Sequence, residues 1–129
     1  MLLSILLAIP IAGANPMLEE GCGHLADKNP DAAIVSLREC IERTPVEDDS
    51  RIECHWELGW AYWLKGDWPK VIKQWEIVRE AQPGREGVSE NLAKARSHLG
   101  LKDLLARGRD TAAPSYRSEV PEGTTVRLR

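Results

Sequence analysis

Shifted against itself by 34 residues, the chain superposes Leu58 on Leu92, Gly59 on Ala93, Ala61 on Ala95 and Gly66 on Gly100. Self-similarity at such a period marks stacked supersecondary units, none of which can bury its apolar face alone. Toward the amino terminus the shift becomes 38 and places Gly59 on Gly21, Ala61 on Gly23, Val71 on Ala33, Trp75 on Leu37, Val78 on Cys40 and Pro83 on Pro45. The four additional residues fall in the acidic loop around Val46 to Ser50. Small residues thus recur where two helices must approach closely, and any fold for this chain has to repeat that approach.

The units are helical. Residues 31–42 place Ala33, Ile34, Leu37, Cys40 and Ile41 at spacings of three and four, an apolar stripe with charges opposite. Asn29 followed by Pro30 supplies an N-cap and a preformed first turn, and Pro45 closes the segment. Residues 52–64 and 69–81 repeat the pattern around Lys65, Gly66 and Asp67, a tight turn between two antiparallel helices. A further helix is predicted over 86–99, ended by Gly100, with another starting over Leu101 to Ala106. No strand is needed for residues 16–109.

Residues 52–85, most clearly LGWAYWLKGDWPKVIKQWEIVREAQP, resemble a tetratricopeptide repeat in Leu58, Gly59, Tyr62, Gly66, Asp67, Trp68, Trp75 and Pro83. Val71 and Val78 replace small residues usual in that family. Residues 14–47 resemble a weaker copy that keeps Gly21, Ala33 and Pro45 but has His24 in place of the Tyr, where the resemblance gives it a packing role. Residues 86–109 resemble a third, decaying copy that would serve as a solubilising cap. The fold class expected is therefore all-α: an antiparallel helix-hairpin solenoid of about two and a half repeats over 15–109, with an irregular tail over 110–129.

Phe is absent, and six of the seven aromatic residues, Trp56, Trp60, Tyr62, Trp63, Trp68 and Trp75, fall within one twenty-residue stretch. Trp56, Trp60 and Trp63 are spaced by four and three, which sets them on one side of a helix whatever the family. In tetratricopeptide proteins the first helix of each pair lines a concave groove, and the resemblance implies that these three tryptophans face it. It implies Leu18, Cys22 and Leu25 as their neighbours from the first copy, and Glu90, Lys94 and Ser97 from the third. Such a strip grips an extended peptide or a helix, covers the inner face of a short array, or stacks on a sugar ring. The clamp of Lys, Asn and Arg with which some family members hold a terminal carboxylate is missing, because Trp56 and Trp60 stand where it needs polar donors.

Residues 1–14 read as an export signal: an apolar run, LLSILLAIPIA, ahead of the small residues Ala12, Gly13 and Ala14, with cleavage after Ala14. The run is shorter than the roughly 20 apolar residues of a membrane span. Export permits a disulfide among Cys22, Cys40 and Cys54. Cys40 to Cys54 is favoured, since consecutive helices would bring them together across the acidic loop, which leaves Cys22 free; the alternative is three buried thiols. Residues 110–129 read as a flexible or extended basic tail. From Lys94 onward there are eight basic and four acidic side chains, against nine and sixteen before it, so an acidic body and a basic tail attract each other.

With 17 basic and 20 acidic residues in 129, the net charge of −3 disfavours nucleic acid as a partner. A zinc site from Cys22, His24, Cys54 and His55 is disfavoured because neighbours on a helix point about 100° apart. His98 is expected at a helix end, where a cation is favoured. Neither a nucleophile motif nor a phosphate-cradling glycine loop is found, so no metal, cofactor or catalysis is expected. The reading is an exported, noncatalytic protein-interaction module or assembly scaffold of the cell envelope. Its alternative is the leading helical segment of a larger secreted enzyme or surface protein.

Overall fold

Three of the helix starts are set by the same chemistry, a side-chain oxygen followed by proline in the first turn. A computed structural model describes the backbone of residues 15–119 and the side chains of residues 15–108. Helix α1, Pro16–Ala26, is capped by Asn15, whose Oδ1 accepts from the backbone N–H groups of Met17 and Leu18. Helix α2, Pro30–Arg43, takes its cap from Asn29, which accepts from Ala32 N–H. Helix α3, Ser50–Lys65, ends on Gly66 at φ +71°, the left-handed conformation that glycine adopts without penalty. Gly66 N–H donates to Trp63 O and Asp67 N–H to Tyr62 O, each at 3.0 Å, which satisfies the last carbonyls of the helix. Asp67 then caps helix α4, Trp68–Ala81. No strand occurs among the described residues. The boundaries expected for α2, α3 and α4 hold to within two residues.

The last helix differs from expectation. Helix α5 runs from Val88 to Glu119 without a break, so Gly100 neither ends one helix nor separates two. Gly66 stops a helix because Asp67 and Pro69 are ready to start the next. Gly100 is followed instead by Leu101, Lys102, Asp103, Leu104 and Leu105, mostly good helix formers. One interior glycine then costs only about 1 kcal/mol. The helix also occupies residues 110–119, where an irregular tail is expected; the strand-like end over 120–129 and the apolar run over 1–14 lie outside the described residues.

Each helix packs on the next, and α1 also touches α3. The core is Ala33, Leu37, Leu58, Ala61, Tyr62, Val71, Trp75, Val78, Val88, Leu92 and Ala95. Its composition follows the internal shift. Ala33 with Val71, Leu37 with Trp75, and Cys40 with Val78 are all fully buried, as equivalent positions should be. A Cβ on Gly21 would lie 2.5 Å from Leu37 Cδ2, and one on Gly59 would overlap the Trp75 indole. Two helix pairs, α1 with α2 and α3 with α4, thus close on a glycine at the same point. Ala93, the counterpart of Gly59 in α5, is exposed, since no described helix comes after α5 to pack there.

Polar contacts join the first three helices around the loop between α2 and α3. Asn15 Nδ2 donates to Thr44 Oγ1 at 2.9 Å and to Ser50 Oγ at 3.1 Å. Arg51 donates to the carbonyls of Ile41 and Thr44 at 2.8 and 2.9 Å, capping the end of α2. Below them Cys40 and Cys54 form a disulfide between α2 and α3, with Cα atoms 6.1 Å apart. This is the favoured pairing, and Cys22 is left free and half-buried.

Candidate functional site

Helix α3 has two working sides. Leu58, Ala61 and Tyr62 enter the core, while Trp56, Trp60 and Trp63 are each half-buried beside it. The three rings do not stand free. All of them pack on the buried Trp75 of α4, with centroid distances of 5.1, 4.8 and 5.7 Å respectively. Trp63 also meets Trp68 edge-on at 4.9 Å. The imidazole of His98, on α5, stacks on Trp68 at 4.3 Å with the planes 10° apart. The result is a braced platform: inner edges fixed by Trp75, outer surfaces open. Aromatic pairs of this kind contribute about 0.5–1.5 kcal/mol each beyond their buried area.

His98 is thus mid-helix, an aromatic partner for the platform, and not at a helix end. His24 is half-buried, with Nε2 3.8 Å from the Glu20 carboxylate, so it does not enter the core as Tyr62 does. Of the residues expected beside the strip, Leu18 and Leu25 pack partly buried against the core. Lys94 is exposed on α5, one turn before His98. Glu90 and Ser97 are exposed on the same helix.

At the other end the platform is framed by charge. Arg85 grips Glu53 with two N–H donors, at 2.5 and 3.1 Å, and bonds Gln82 Oε1 at 3.0 Å. Its guanidinium lies 4.9 Å from the Trp56 ring, a cation–π contact. Burial, reinforced by the negative charge of Glu53 and opposed by the positive charge of Arg85, raises the Glu57 carboxyl above its ordinary range. Burial and then the carboxylates of Glu57, Glu53 and Glu19 push the Cys22 thiol up, which keeps it protonated and weakly reactive. The site therefore pairs an apolar aromatic platform with a carboxylate, Glu57, that has no ion-pair partner among the described residues.

Arg85 and Glu57 escape sequence reasoning, and the stacking role of His98 does too, because none is singled out by helical period. Arg85 lies in the turn after α4 and is 32 residues from the Glu53 it grips. No group of three or more His, Cys, Asp or Glu that could hold a metal occurs among the described residues. No described helix is long and apolar enough to cross a membrane. No protein-family model, curated protein or solved structure matches this chain.

Proposed function

We propose that the chain is an exported, noncatalytic protein-binding module of the tetratricopeptide type, and that it holds a peptide or helix across Trp56, Trp60 and Trp63. The observation that carries the reading is the bracing of these rings. Large aromatic side chains fixed on Trp75 lose little conformational freedom on binding, which is the usual property of an interface anchor. The equivalent glycine crossings at Gly21 and Gly59 support the repeat assignment, and the Cys40–Cys54 disulfide supports an oxidising compartment. Glu57, which makes no ion pair among the described residues and feels Arg85 only at a distance, favours a partner that places Lys or Arg beside an apolar anchor.

Selection from a displayed random-peptide library against the purified chain tests this. Enriched peptides should combine a basic residue with aromatic or branched aliphatic ones. Trp60→Ala, on the solvent side of the platform, should weaken them about tenfold or more, near 1.4 kcal/mol, with an unchanged helical spectrum. Undiminished binding by Trp60→Ala would reduce the strip to packing.

A further inference from the structure

The opposite side of α3 bears a second site. Between α2, α3 and α4 lies a cavity of about 470 Å³, within the usual range of small-molecule sites. Two of the side chains lining it, His55 and Tyr62, are polar and each only 8% exposed. His55 Nδ1–H donates to Gln74 Oε1 at 2.7 Å, and its other nitrogen, Nε2, is thereby left as an acceptor while the ring is neutral. Burial holds the ring neutral, lowering its pKa; the Gln74 bond opposes this and Arg51 adds to it. Neither His55 Nε2 nor the Tyr62 hydroxyl has a hydrogen-bond partner among the described residues. Buried polar groups of this kind are normally paired.

The rim of the cavity is cationic although the chain as a whole is acidic. Arg38, Lys70 and Lys73 line it against the single carboxylate of Glu42. Lys70 has Asp67 at 3.6 Å and lies 5.4 Å from the Tyr62 ring. Arg38 and Lys73 have no ion-pair partner among the described residues. Ile41 and Ile77 supply apolar wall.

We propose that this cavity binds a small hydroxylated carboxylate of the sugar-acid type. The acid group meets Arg38 and Lys73, a ligand hydroxyl donates to His55 Nε2, another pairs with the Tyr62 hydroxyl, and the carbon frame rests on Ile41 and Ile77. A single negative charge fits better than a phosphate dianion because Glu42 shares the rim. The need for a donor beside the acid comes from His55, which as a neutral ring has only an acceptor to offer.

Calorimetric titration of the full chain with glucuronate tests the assignment. Saturable binding in the millimolar range or tighter is expected, with glucose and acetate each weaker by about tenfold. Lys73→Ala, at an exposed position, and Tyr62→Phe, which keeps the ring in the core, should each weaken glucuronate by about three- to tenfold. Trp60→Ala should leave its affinity unchanged, which separates this cavity from the tryptophan platform. Four results overturn the proposal: no saturable heat with glucuronate, equal binding of glucose, wild-type affinity in both Lys73→Ala and Tyr62→Phe, or loss of binding in Trp60→Ala.

Discussion

Trp75 lies directly over Gly59 and donates its indole Nε1–H to the carbonyl of Trp56 at 3.1 Å. A helix carbonyl is reached from a neighbouring helix only where no side chain stands between them, so the hydrogen bond and the glycine are one feature. Trp75 is also the ring on which Trp56, Trp60 and Trp63 rest. The close crossing of α3 and α4 therefore fixes both the fold and the platform.

Gly59→Ala should accordingly cost about 1–3 kcal/mol, since the new Cβ forces Trp75 away and breaks its hydrogen bond. Gly23→Ala is the matched control. It lies in α1 with nothing within 4 Å of the added Cβ, so it should stabilise by about 0.5–1 kcal/mol through helix propensity alone. Chemical denaturation of both variants checks the pair; equal effects at the two positions would remove the close-crossing argument.

The Cys40–Cys54 bridge closes a separation of 14 residues. Nonreducing peptide mapping should recover this pair, with Cys22 unbridged and alkylated only slowly while the chain is folded. Replacing both bridged cysteines by Ala should lower stability by on the order of 3 kcal/mol, through the freedom returned to the unfolded chain. A mapped bridge that includes Cys22 contradicts the packing of α1 on α2.

Much of this architecture is legible in the sequence because it rests on local or periodic signals. Asn-Pro and Asp-Trp-Pro mark helix starts, Gly66 marks a stop, and the internal shift alone pairs Gly21 with Gly59 and Leu37 with Trp75. Gly100 is misread for a physical reason: glycine permits a helix stop without imposing one, and unlike Gly66 it keeps the helical backbone because the residues after it continue the helix. At the site, the spacing of Trp56, Trp60 and Trp63 reveals a common side but not that Trp75 holds all three. The stacking of His98 on Trp68 and the reach of Arg85 to Glu53 are long-range contacts that no period encodes. The cavity beside His55 is likewise assembled from three helices, and Arg38 and Lys73 look in sequence like ordinary solvated charges.

Asn15 links three elements through one side chain, capping α1 with its oxygen while its amide bonds Thr44 and Ser50. Asn15→Ala should cost about 1–2 kcal/mol. Hydrogen exchange should locate the loss in the first turn of α1 and in the start of α3; faster exchange confined to α5 would argue against the linking role.

Glu57 supplies the pH dependence. Its folded-state pKa is raised, first by burial and then by Glu53, so between the unfolded and folded values the folded chain holds the extra proton. Stability at this position therefore falls as pH rises through that window, and the ionised carboxylate is a small liability at neutral pH. Glu57→Gln should raise the melting temperature at pH 7, and the gain should vanish once the pH is below the ordinary carboxylate range. The same variant should speed alkylation of Cys22, because the Glu57 charge ranks next after burial among the causes that hold that thiol protonated. Both effects arise from one half-buried carboxylate, so a variant that moves neither the melting temperature nor the alkylation rate would place Glu57 in open solvent. It would also withdraw the preference for a basic partner.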